Sequence, residues 1–198
     1  MSPAVQAALS ALGIPPLPRV GSDAYSDLIR TARLLRGEGR AVGLVPATAR
    51  VAVPGVAIQL ALALNEVGVK EVCVVDANYE LPAFSDMAPI GVTAGPNIRH
   101  GFVAVPLGDG ATLLTPHSPE PSLPLKRLDQ LLPELRSLFD KVIVDLTGFR
   151  EVGELVGACA ILDGVLAVAT TNVTLERELA GLVADLGDRP LLGTLLVG

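Results

Sequence analysis

Short, unbroken apolar runs separated by helical segments constrain this chain more than any other feature. AVGLV (41–45), EVCVVD (71–76), KVIVD (141–145), GVLAVAT (164–170) and PLLGTLLVG (190–198) each read as a strand. None alternates apolar with polar residues, so both faces of each strand are expected to be buried. Strands of this kind alternating with helices predict an α/β fold: a mostly parallel sheet with helices on both faces. Ligands in such folds bind beyond the C-terminal ends of the strands. Residues 46–55, 76–82 and 145–150 are therefore the places where a site is expected.

The connecting segments carry their own signals. Ser22 or Asp23 can cap a helix that runs to about Arg36 and stops at Gly37 and Gly39. PATARVA (46–52) is a loop, and Pro54 suits the first position of a helix that ends at Gly68. Residues 77–110 read as irregular, with a short third strand in GATLLTP (110–116). PHSPEPSLP (116–124) is a connector or, alternatively, a polyproline ligand. Residues 125–139 have helical period, and Pro133 predicts a kink or an interruption. Further helices are expected over 151–162 and 172–187, the second capped by Thr174. Residues 1–21 read as an N-terminal arm and 22–198 as one domain.

Half of the residues are apolar, with no Trp, four Phe and two Tyr, so the core must be aliphatic. A net charge of −6 leaves no basic footprint for nucleic acid. Cys73 and Cys159 lie in apolar runs, which predicts buried, reduced thiols and a cytoplasmic protein. The N-terminus lacks a basic start and a long apolar run, so no signal peptide is expected. The longest apolar stretch, Val51–Leu64, is shorter than the ~20 residues of a membrane span. Contact with the inner face of the membrane would come through a partner. His100 and His117 are isolated, so no metal site is expected at either. Arg30, Arg33, Arg36 and Arg40 recur at near-helical spacing and read as a solvated face, with Asp27 pairing Arg30, or as a face for an acidic partner.

Several segments together resemble the bacterial tyrosine kinases of capsule and exopolysaccharide systems, within the MinD/ParA-type P-loop ATPases. DAYSDLIRTA (23–32) is similar to the family's opening segment. VCVVDANYELP (72–82) is similar to its apolar strand followed by DxDxR and Pro, and FDKVIVD (139–145) to FDYVIID. DGVLAVATTNVTLERELAGLVADLGDRPLLGTLLVG (163–198) is similar to the family's closing part. The resemblance implies a P-loop NTPase architecture over residues 22–198.

The same resemblance places the phosphate loop at PATARVAVPGVAIQLA (46–61), aligned on Gln59, Leu60 and Ala61. A P-loop needs glycines so that backbone N–H groups can close around phosphate, and those positions hold Ala49, Arg50 and Ala52. The Lys that reaches the β- and γ-phosphates is replaced by Val53, and the Mg²⁺-binding Ser/Thr by Pro54. Val51 and Gly55 complete the loop. Asp76 and Asp145 keep the family's acidic positions, while Asn78 and Glu80 replace the second Asp and the Arg of DxDxR. Asp76 and Asp145 are read as a relic metal or water site, or as caps of the turns that follow them. The family's C-terminal tyrosine cluster has no counterpart, since the two tyrosines are Tyr25 and Tyr79.

These losses imply a vestigial nucleotide pocket and a non-catalytic pseudo-ATPase or pseudokinase, acting as a regulatory or scaffold subunit. No cofactor is expected. The implied partner is a protein, either a membrane polysaccharide copolymerase or an active paralogue, and homo-oligomers are a further expectation. One alternative is a nucleotide-binding ATPase or kinase with a deviant loop, in which Arg50 supplies the cation and Asp76 and Asp145 organise Mg²⁺ with ATP. Another is a MinD/ParA-like positioning or assembly protein.

Overall fold

The structure is a computed structural model that describes residues 1–14, 22–87, 101–108, 110–117 and 124–198. In chain order its elements are α1 (Pro3–Ala11), α2 (Asp23–Gly37), β1 (Ala41–Pro46), α3 (Val53–Glu66), β2 (Val72–Asp76), a 3₁₀ turn (Ser85–Met87), β3 (Phe102–Gly108), β4 (Ala111–Pro116), α4 (Pro124–Leu138), β5 (Lys141–Asp145), α5 (Leu155–Ile161), β6 (Gly164–Thr170), α6 (Glu176–Leu186) and β7 (Leu191–Val197). One sheet holds the strands in the order β3-β4-β2-β5-β1-β6-β7. Every neighbouring pair is parallel except β3–β4, which is antiparallel.

The apolar runs are continuous because each strand packs on two cores. Val42, Leu44, Val72, Val74, Ile143 and Val168 face the core built with α1, α2 and α3. Ala41, Val45, Cys73, Val75, Val142 and Val144 face the other, built with α4, α5 and α6. Both cysteines are buried and unpaired. Ser22 caps α2 by accepting from the Tyr25 N–H, and Asp27 pairs with Arg30. Among the described residues no helix is long and apolar enough to cross a membrane.

Four local expectations are corrected. The stretch 77–110 contains β3, an edge strand whose Pro106 masks it in sequence. Proline is tolerated at an edge because its missing N–H need not serve a ladder. α4 runs unbroken through Pro133, which is exposed, while Leu128, Leu131, Leu132 and Leu135 are buried on its other side. Packing of that face outweighs the ~3 kcal/mol an interior proline costs. α5 begins at Leu155, because Gly148 and Gly153 hold left-handed backbone in the preceding turns. Thr174 is not the cap of α6. Its hydroxyl accepts from the Thr170 N–H at 2.9 Å, and Glu178 instead reaches back to the Leu175 N–H at 2.8 Å.

The segment read as an arm carries α1, whose Val5 and Leu9 are buried in the first core. Most of the proline-rich stretch, and His100, lie outside the described residues.

Candidate functional site

Parallel pairing brings the C-terminal ends of β1, β2 and β5 to one edge, and Asp76 stands opposite Asp145 in register there. Both carboxylates are buried. Asp76 accepts from the backbone N–H groups of Asn78 (3.3 Å) and Phe84 (3.2 Å) and from the buried Thr115 hydroxyl (3.3 Å). Asp145 accepts from the Thr147 N–H (2.8 Å) and its hydroxyl (2.6 Å). Each aspartate therefore closes the turn that follows its strand. Burial, aided by the Asp145 charge, pushes Asp76 up to about 7 against the pull of its three donors. Burial pushes Asp145 up to about 6, opposed by the two Thr147 bonds. Among the described residues no group of three His, Cys, Asp or Glu side chains could hold a metal.

The loop between β1 and α3 uses its own donors. The Arg50 N–H bonds the Thr48 hydroxyl at 3.2 Å, the Val51 N–H bonds the Thr48 carbonyl at 3.1 Å, and the Val53 N–H bonds the Val51 carbonyl at 3.2 Å. No residue of 47–52 adopts a left-handed conformation. A phosphate-binding nest needs consecutive N–H groups turned toward one point, and here those of Arg50, Val51 and Val53 are turned to acceptors within the loop. Val53 is fully buried in the first core. Pro54 has neither hydroxyl nor N–H at the head of α3. Arg50 points outward and pairs with Glu178 of α6 at 3.0 Å. This donor set does not fit Mg·ATP: the loop has no lysine, its Arg50 is paired with Glu178, its Thr48 hydroxyl accepts from the Arg50 N–H, and Pro54 brings no hydroxyl to the head of α3.

The sequence places ten residues in one vestigial pocket, and the structure distributes them over two cavities and the core. Ala49, Val51 and Asn78 line a cleft of about 280 Å³. Ala52, Pro54 and Gly55 line a separate cavity of about 350 Å³. That second cavity is also lined by Leu12, Gly13 and Ile14, the Ile14 side chain lying over Gly55. Arg50 and Val53 line neither cavity, and the buried Asp76 and Asp145 stand behind the loops that follow them.

Several residues of the first cleft have no charge or metal-ligating group to announce them: Tyr79, Leu81, Phe149 and Val152. The first three fall in the windows that the strand ends mark in the sequence, but an apolar residue there carries no signal of its own. The Tyr79 ring packs edge-on against Phe102, with the Arg127 guanidinium 5.0 Å from its centre. Its hydroxyl is buried with no hydrogen-bond partner among the described residues.

The sheet order and the parallel β1, β2 and β5 give an α/β fold similar to that of MinD/ParA-type P-loop ATPases. The MinC:MinD cell division protein complex of Aquifex aeolicus matches with a TM-score of 0.55 and 17% identity over 80% of this chain and 68% of that one. Within the class, the fold is that of bacterial tyrosine kinase domains. The BceF tyrosine kinase domain matches with a TM-score of 0.69 and 18% identity, over 98% of this chain and 88% of that one. The kinase domain of Escherichia coli tyrosine kinase ETK matches with a TM-score of 0.66 and 17% identity, over 96% and 92%. Likeness at these identities carries the fold and not the activity. No protein-family model matches the chain, and no curated protein sequence matches it.

Proposed function

We propose that this chain is a non-catalytic relative of the exopolysaccharide-system tyrosine kinase domains, a pseudo-ATPase that serves as a protein-binding regulatory or scaffold subunit in the cytoplasm. The observation that supports it is the state of the β1–α3 loop. Val53 is buried where a phosphate-binding Lys would stand by the resemblance, and the Arg50, Val51 and Val53 amides bond within the loop. Phosphoryl transfer relies on positioning and electrostatic stabilisation. A triphosphate at this loop would meet no lysine, and the loop's one cation, Arg50, is paired with Glu178.

The resemblance to those kinase domains suggests the partner class: a membrane polysaccharide copolymerase, or an active paralogue that this chain regulates. ATP and Mg²⁺ have no part in this reading. Thermal unfolding with and without millimolar Mg·ATP tests it. No change in midpoint is expected. Ligand at about 100 times its Kd would add roughly 2.7 kcal/mol, and at about 2–4 °C per kcal/mol for a chain of this size the midpoint would rise by about 5–11 °C. A shift of that size, or ATP hydrolysis abolished by Asp145→Ala, would overturn the reading.

A further inference from the structure

The cleft at the ends of β2 and β5 has a chemistry opposite to that of a nucleotide site. Its walls include Val51, Tyr79, Leu81, Phe149 and Val152, and its charged lining residues are Glu80 and Glu151. Neither glutamate forms an ion pair among the described residues. The nearby arginines are engaged away from the cleft or behind its wall. Arg50 pairs with Glu178, Arg150 with Asp185, and Arg127 lies over the Tyr79 ring.

The apolar surface also continues past the cleft mouth. Leu81 is 78% exposed and Val152 is 46% exposed. Leu81 lines the cleft, but a molecule confined to about 280 Å³ would leave the part of it that extends past the mouth in water. A polypeptide crossing the mouth would cover it together with Val152. Exposed apolar residues beside a concave apolar site, rimmed by like charges, mark a protein-docking surface of defined polarity.

We infer that this cleft docks a partner polypeptide through one bulky apolar side chain flanked by Lys or Arg. The apolar residue enters between Val51, Tyr79 and Phe149. The basic flanks face Glu80 and Glu151. This inference rests on the reading of the chain as a protein-binding subunit and adds the chemistry of the bound segment. An anionic segment is excluded by the same two glutamates, so the charge pattern sets the choice of partner as much as the apolar contact does.

The probe is a phage library of random dodecapeptides panned against the purified chain at physiological salt. Enriched peptides should carry a single Leu, Ile, Met or Phe in a Lys/Arg-rich frame. A synthetic peptide of that consensus should lose about tenfold or more in affinity with Leu81→Asp or Val152→Asp. The double variant Glu80→Lys/Glu151→Lys should lose the basic consensus and select an acidic one. All four positions are on the surface, and unchanged unfolding midpoints would confirm intact variants. Failure to enrich a consensus, an acidic or uncharged consensus on the unaltered protein, or affinity indifferent to Leu81→Asp would overturn the inference. So would dimerisation of the chain that Leu81→Asp abolishes, which would assign the cleft to a second copy. Response to Mg·ATP is read separately. A failed selection with no nucleotide response would remove this occupant and leave the pseudo-ATPase reading intact.

Discussion

Asp76 and Asp145 stand side by side on adjacent parallel strands, both buried, and among the described residues the hydrogen bonds they accept come from the turns after their strands or from Thr115. Two carboxylates so placed, without a cation between them, cannot both ionise cheaply. Each favours the neutral form through burial, and the Asp145 charge adds to the effect on Asp76. What reads in sequence as a pair of acidic motifs works in this structure as a pair of turn closures.

The pair sets a pH dependence of stability. Asp76 is raised from 3.8 to about 7 on folding, so the folded state holds its proton more tightly than the unfolded state does. Stability from this group is therefore complete below about pH 4 and is lost as pH rises through about 7. Asp145, raised to about 6, acts in the same direction. Asp76→Asn removes the dependence at that site. Urea unfolding from pH 5 to 8 should show the unaltered protein losing stability, on the order of a few kcal/mol, relative to the Asn variant. A difference of the opposite sign would mean that a cation neutralises the pair.

Restoring the family's lysine does not restore a phosphate site. Val53 has no exposed surface and packs in the first core, so Val53→Lys buries an ammonium with no designed partner. The expected loss is about 2–5 kcal/mol by denaturant unfolding, with no gain of Mg·ATP protection. Protection by nucleotide in this variant would show that the loop can still open its amides to phosphate.

The sheet was legible because apolar runs of strand length report burial on both faces directly. AVGLV, VCVVD and KVIVD needed no tertiary information to be read as strands. The β3 edge was hidden because an edge strand tolerates Pro106, which sequence reading takes as a break. That the loop from 46 to 54 has no Lys and no Gly, and that Pro54 brings no hydroxyl to the head of α3, was legible as residue identity alone. The splitting of the pocket was not. It depends on Ile14 reaching Gly55 and on Thr48 taking the loop's amides, contacts between residues with no distinctive chemistry. The apolar cleft was hidden for the same reason, since Leu81 and Phe149 are ordinary residues until three strand ends surround them.

Lys141 closes the C-terminus of α2 from the start of β5. Its Nζ donates to the carbonyls of Leu35 (2.6 Å), Glu38 (2.9 Å) and Gly39 (2.6 Å). A positive charge at a helix C-terminus also complements the dipole there. Lys141→Met keeps the aliphatic stem but strands these acceptors. A cost of about 2–4 kcal/mol is expected, measured as a lower urea midpoint at unchanged slope. A near-neutral result would indicate that water reaches those carbonyls.

Gly43 is a packing constraint at the centre of the sheet rather than a hinge. It lies on β1, and a Cβ there would come within 2.8 Å of both the Leu146 and Leu162 side chains and 3.2 Å of Val165. Those neighbours are themselves buried, so they cannot swing into solvent to make room. Overpacking of this kind costs about 1–3 kcal/mol. Gly43→Ala should therefore lower the unfolding midpoint although Ala suits a strand at least as well as Gly does. The double variant Gly43→Ala/Leu162→Val should recover part of the loss by releasing one of the crowding methyl groups. Recovery would locate the strain at the β1–Leu162 contact, and a purely additive loss would place it on Leu146 instead.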